Sequence, residues 1–238
     1  MIDETVTPPY YWPRCDDEVA QSWELMVLPV YFHVIHIGRT GLIEREKIDA
    51  QVEVLNKAFA GCRIEFVLKD VFEIDSEAWF WMWLGSDVEI AAKTELGKDI
   101  GDALNVYTAS LRGSGSHGYA RQPWEYRHYP DLDGIVVRHD SFPGDEAPFD
   151  KGGVAVHETG HWLGLHHTFE GYGQPPGDLV PDTPLQYVPS RREGDLTTDP
   201  PANYMDGASD ARRTHFTQGQ FCRIRNVVLP EYKPWLLP

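Results

Sequence analysis

His157-Glu158-Thr159-Gly160-His161-Trp162-Leu163-Gly164-Leu165-His166-His167 constrains this 238-residue chain more than any other stretch, because its spacing on a helix leaves few uses for it. Residues four apart on an α-helix differ by ~400° of rotation and ~6 Å of rise, so His157 and His161 present their imidazoles from one face to a single point. Glu158 follows directly, where its carboxylate reaches a water at that point without being a ligand. His167 lies six residues beyond His161. On a continued helix it would point away and sit ~9 Å further along the axis, so the chain must turn back. Gly164 is placed for that turn, since glycine tolerates the left-handed backbone conformation that ends helices. Three neutral imidazoles around one point leave a fourth position open, the ligand set of a catalytic rather than a structural zinc ion. His166 is in the wrong register to join them and reads as a surface residue or a support for the ligands.

The five-residue core H-E-x-x-H arises by chance often enough to be weak alone. Requiring Gly164 and His167 at fixed offsets lowers that expectation by roughly a further several hundred-fold. The extended segment resembles the metzincin consensus H-E-x-x-H-x-x-G-x-x-H. Asn203-Tyr204-Met205-Asp206, with Met205 38 residues after His167, matches the methionine turn of that class. More specifically, the chain resembles the pappalysin (cytophagalysin-like) family. The resemblance is carried by Val156 to Phe169, Gly177-Asp178-Leu179-Val180-Pro181-Asp182-Thr183-Pro184, Asn203 to Asp206 and Phe216-Thr217-Gln218-Gly219-Gln220. Leu28 to His36 and Leu104-Asn105-Val106-Tyr107 also resemble that family's strands, so the similarity runs from about residue 28 to about 228.

The resemblance implies an α+β metzincin zincin fold in one catalytic domain. Residues 28–167 would form an N-terminal catalytic lobe, a mixed twisted sheet with backing helices and the active-site helix. Residues 168–238 would form an irregular C-terminal lobe with the methionine turn and a terminal helix, and residues 1–27 an N-terminal segment. Met205 is implied to be an apolar floor beneath the histidines rather than a ligand. Gly118, Tyr119 and Ala120 are implied to be an upper edge strand that pairs with an extended peptide. The resemblance also implies that the residues after the methionine turn, Asp206 through Arg213 here, line the pocket for the side chain following the cleaved bond. There Arg212 or Arg213 would favour an acidic residue and Asp210 a basic one, and the sequence leaves the choice open. Asp178, Asp182 and Thr183 match a loop that binds calcium in some pappalysins; their oxygens suit the hard cation, although loops of this composition often bind none. Arg14-Cys15-Asp16 resembles a segment whose thiolate keeps some relatives latent, but the usual Gly-Thr is missing and a plain cysteine is the alternative.

Two departures stand out. Many metzincins of this type carry a tyrosine two residues after the methionine, and Gly207 stands there, so slower or unusual peptidase activity is expected. Cys15, Cys62 and Cys222 are an odd, sparse set that makes a disulfide framework improbable, unlike the family's cysteine pairs.

With 37 acidic against 21 basic residues the net charge is −16, which disfavours nucleic acid and anionic membrane surfaces as partners. The charge either draws in cationic substrates or serves solubility. No apolar run approaches the ~20 residues that span a bilayer. Met1 to Arg14 lacks the basic start and apolar core of a signal peptide. The expectation is therefore a soluble, monomeric, cytoplasmic protein, with secretion suggested only by the family.

Along the chain, residues 28–37 and 63–69 read as strands, with His33 and His36 on opposite faces as core or rim residues. Ile48, Val52, Leu55 and Phe59 recur at helical spacing within 44–60. A helix over 87–96, strands at 103–108 and 134–138, the active-site helix at 153–165 and a terminal helix at 217–228 complete the pattern. Residues 112–117, rich in Gly and Ser, read as a loop beside the substrate edge. Trp79-Phe80-Trp81-Met82-Trp83 reads as a core or lobe-interface segment, against the alternative of a gripping or membrane-dipping loop.

The chemistry expected is peptide-bond hydrolysis by a zinc metalloendopeptidase, with Glu158 taking a proton from a water on the metal and passing it to the leaving amine. A dedicated amide hydrolase or leader peptidase for one peptide-like substrate is the alternative. A non-catalytic zinc-binding module is a third reading, which Glu158 argues against because metal binding does not need it.

Overall fold

Helix α2 (Arg45–Phe59) forms because Ile48, Gln51, Val52, Leu55 and Phe59 fall on one stripe, and that stripe is buried. It links two parallel strands, β1 (Met26–His36) and β2 (Ile64–Asp75), as a crossover must when parallel neighbours are joined. The computed structural model describes residues 17–111, 113, 115–189 and 202–238. After the short helices α1 (Asp17–Ser22) and α3 (Glu77–Phe80) and helix α4 (Asp87–Leu96) come β3 (Leu104–Ala109), β4 (Gly118–Ala120) and β5 (Ile135–Arg138).

These strands make one five-stranded sheet in the order β2-β1-β3-β5-β4. β1, β2, β3 and β5 run parallel, and β4 runs antiparallel on β5 with Tyr119 opposite Val136. All six residues of β3 are buried, as expected of a parallel strand covered on both faces. On one face Val30, Phe32, Val106 and Ile135 pack with α2 and with Val154 and Trp162 of helix α5 (Gly153–Trp162). On the other, Ile35, Tyr107 and Val136 pack with Phe80 and Ala92 from α3 and α4.

The structure shifts several expected boundaries. β2 runs on to Asp75 rather than ending near residue 69. α5 stops at Trp162, and Gly164 turns the chain with φ +89°. The terminal segment divides into α6 (Gln218–Cys222), a π-helical stretch over Arg223–Val228, and α7 (Leu229–Tyr232). The aromatic cluster divides as well: Phe80 and Met82 are buried, but Trp81, Trp83 and Leu84 are 48%, 58% and 52% exposed, because α3 ends at Phe80 and the chain turns at the surface. A disulfide framework is improbable from the sequence, but Cys222 is disulfide-bonded, whereas Cys62 is a buried free thiol. An odd cysteine count leaves one over without forbidding a pair. Cys15 and the latency reading attached to it lie outside the described residues.

Candidate active site

Helix α5 carries His157, Glu158 and His161, and the turn at Gly164 brings His167 back to them. Their Nε2 atoms lie 3.1–3.2 Å apart in all three pairs. His157 Nδ1 donates to the Tyr204 carbonyl at 2.7 Å and His161 Nδ1 to the Leu165 carbonyl at 2.8 Å. A carbonyl only accepts, so both rings carry their proton on Nδ1 and present a bare lone pair at Nε2. Lone pairs at that separation repel unless a cation lies among them. Nitrogen ligands at 2.0–2.1 Å in a tetrahedron are about 3.3–3.4 Å apart, close to the spacing observed. Burial keeps the rings neutral, pushing His157 well below the usual histidine range, His161 down to about 3 and His167 to about 4. The three histidines are the one group among the described residues, drawn from histidine, cysteine and carboxylate side chains, able to hold a metal ion. His166 is not in it; its ring packs on Trp124 at 5.4 Å.

The floor of the site follows from two small features. The Asn203 side chain accepts from the Met205 backbone N–H at 2.8 Å, which shapes the turn and delivers Met205, fully buried, under α5. Gly160 gives the room: a Cβ there would lie 2.5 Å from the Met205 sulfur. Glu158, 6% exposed, has its carboxyl pushed up to about 8 by burial, with Arg213 pulling the other way. That side chain rests against Gly118, where a Cβ would come within 2.7 Å of Cγ and 2.9 Å of Oε1.

Two clefts meet at His157, Glu158 and His167. One, of about 290 Å³, runs along Gly118, Tyr119, Ala120 and Gln122 to His166 and Glu170. The other, of about 500 Å³, is lined by Pro148, Phe149, Val154, Asp206, Gly207, Ala208 and Arg213, among others. β4 ends the sheet, so one side of this strand has no neighbouring strand among the described residues. Arg213 reaches the larger cleft. Asp210 is buried beneath it and accepts from the backbone N–H groups of Lys151 and Gly153 and from Arg213. Arg212 is half-buried and lines neither cleft. Gly207 packs toward Pro189, whose Cβ would stand 2.8 Å from a Cβ at 207.

The Asp178–Thr183 loop lies away from the three histidines. Both Asp178 oxygens are within hydrogen-bond distance of the Thr183 hydroxyl, and Oδ1 also accepts from the Val180 N–H. Asp182 accepts from the Thr217 hydroxyl and the Gly219 N–H, tying this loop to the start of α6. Asp178 Oδ1 and both Asp182 oxygens thus accept from backbone or hydroxyl donors, and the one Thr183 hydroxyl proton is shared among Asp178 Oδ1, Asp178 Oδ2 and the Val180 carbonyl. Sequence reasoning missed Ser116, Gln122, Phe149 and Glu170 as cleft residues. They come from loops and strand ends whose composition marks them only as polar or aromatic connections.

The fold and the three-histidine, one-glutamate site define a metallopeptidase, a hydrolase of peptide or protein substrates. The sequence matches the peptidase M43 family described as pregnancy-associated plasma protein-A over residues 104–229. It is 32% identical over 216 residues to an extracellular metalloprotease of Arthroderma benhamiae, covering 84% of this chain and 71% of that one. It is 36% identical over 220 residues to an extracellular metalloprotease of Colletotrichum graminicola, covering 83% of this chain and 74% of the relative. Mature mirolysin of Tannerella forsythia, solved with a cleaved peptide, superposes with a TM-score of 0.71 at 26% identity over 90% of this chain and 97% of that one. The chain belongs to the pregnancy-associated plasma protein-A peptidase family. The expected cytoplasmic location is overturned by these relatives, which are named extracellular metalloproteases. The disulfide at Cys222 agrees with that correction, since disulfides persist in oxidising compartments. No helix among the described residues is long and apolar enough to cross a membrane.

Proposed function

We propose that this chain is an extracellular zinc endopeptidase in which His157, His161 and His167 hold the metal and Glu158 is the general base. The observation that carries the reading is the pair of Nδ1–H donors fixed on backbone carbonyls, which aims two Nε2 lone pairs at the point that His167 completes. Three imidazoles suit zinc, which when bound supplies Lewis acidity, acidifying water and polarising the scissile carbonyl. Glu158 takes the proton of the attacking water and passes it to the leaving amine. A buried carboxyl with a proton affinity raised toward neutrality can do both. Met205 fixes the rings from below. A substrate lies extended against Gly118, Tyr119 and Ala120, pairing with the open side of β4, and its residue after the scissile bond enters the cleft beside Arg213. Calcium in the Asp178–Thr183 loop is not part of this proposal, because the contacts of Asp178, Asp182 and Thr183 give it no support.

Glu158→Gln tests the assignment. Zinc content measured by elemental mass spectrometry is expected to stay at the wild-type level, while cleavage of a peptide library falls by at least about a thousandfold. Hydrolysis persisting at the wild-type rate would exclude the mechanism.

A further inference from the structure

Resting on that peptidase reading, we propose that the cleft beyond the scissile bond selects an acidic side chain, aspartate or glutamate, through the guanidinium of Arg213. The residues after the methionine turn include one acid and two bases, and the structure separates their roles. Asp210 is spent: Oδ2 accepts from Lys151 N at 2.9 Å and Gly153 N at 3.0 Å, and Oδ1 accepts from Arg213 Nη2 at 2.6 Å. It sits beneath the cleft and caps the start of α5, whose ten residues add their own positive end to the same spot. The carboxylate is therefore offset by two backbone donors as well as by Arg213.

Arg213 is 6% exposed and lines the cleft wall. Its Nε is buried with no hydrogen-bond partner among the described residues. A buried donor left unmade is unfavourable, and an acceptor arriving with the substrate would satisfy it. The guanidinium is 5.8 Å from the Phe149 ring centroid, so it is held between an aromatic face and Asp210 rather than free to leave. Pro148, Val154 and Ala208 make the nearby wall apolar, which strengthens a charge-assisted hydrogen bond inside it. Two carboxylates also line this cleft. Glu158 belongs to the reaction, and Asp206 Oδ1 accepts from Gly207 N at 2.7 Å and Gln186 Nε2 at 3.0 Å.

The test is a peptide series identical except at the residue after the scissile bond, carrying Asp, Glu, Leu, Lys or Arg, with kcat/KM measured on the zinc-loaded protein and Glu158→Gln as blank. Asp or Glu is expected to exceed Leu and Lys by about tenfold or more. Removing Arg213 alone would leave Asp210 uncompensated in the interior. The second arm is therefore the double variant Asp210→Asn/Arg213→Met, in which the ratio of acidic to Leu peptide is expected to fall to about one. Preference for Leu, Lys or Arg in the wild type overturns the inference, as does an acidic preference that survives in the double variant. Failure to cleave any member of the series sinks the peptidase reading itself and the inference with it.

Discussion

A single hydrogen atom at Gly118 separates β4 from the Glu158 side chain. A methyl group there would meet Glu158 Cγ at 2.7 Å, Oε1 at 2.9 Å and the Val136 carbonyl at 2.9 Å. The carbonyl is fixed by the sheet, so Glu158 has to move. Gly118→Ala is expected to lower kcat by about a hundredfold, the scale of a misplacement near 1 Å, while zinc content stays unchanged. Steady-state kinetics with elemental analysis checks it; a wild-type kcat would show that Glu158 tolerates displacement. The same logic runs beneath the helix, where Gly160 admits the Met205 sulfur. Both glycines were visible as letters, one inside the zinc segment and one in a strand inferred by resemblance. Their reason is visible only when the second chain segment lies against them.

At the scale of elements, legibility followed how local the cause was. Helix α4 was read to its observed limits because its cap is local, with the Ser86 hydroxyl accepting from Glu89 N at 3.0 Å. The second half of β2 was missed because Asp70, Glu73 and Asp75 read as polar, and it pairs only with β1 at the margin of the sheet. β4 spans three residues, too few for any periodicity, and only family resemblance placed it. The Asp178–Thr183 loop was read for calcium by family resemblance, and its hydrogen bonds tie it to α6. Burial pushes the Asp178 carboxyl up from 3.8 to about 6, with the Thr183 and Val180 donors opposing. A raised native value favours the neutral form, so this contribution is present below about pH 4 and lost as pH rises through about 6. Asp178→Asn, which stays neutral, is expected to gain on the wild type by about 2 kcal/mol between pH 4 and pH 8. Urea titrations across that range check it, and a difference that does not change with pH would refute it.

Across the whole molecule, the last residues are anchored behind the active-site helix. Lys233 donates to both Asp133 oxygens at 2.8 and 3.1 Å, Trp162 Nε1 donates to the same carboxylate at 3.0 Å, and the lysine lies 3.9 Å from the indole ring centroid. The partners are 100 residues apart in sequence and both are almost fully buried, so no local pattern announces them. Lys233→Met strands the Asp133 charge and is expected to cost about 3–5 kcal/mol of stability, most of it recovered by adding Asp133→Asn. Equilibrium unfolding of the two variants measures this, and a double variant no more stable than the single one would show that packing, not charge, is at stake. Location, too, was a whole-molecule property: it came from relatives and from Cys222, not from any segment of sequence. The short β4 edge bears on what the molecule can attack. Exposed strand edges are where proteins stick to one another, and natural sheets blunt them by keeping them short. With only three residues, β4 offers few main-chain groups for pairing. On the proposed pairing with β4, a substrate has to arrive already extended, which favours flexible loops and unfolded tails over strands held in a sheet.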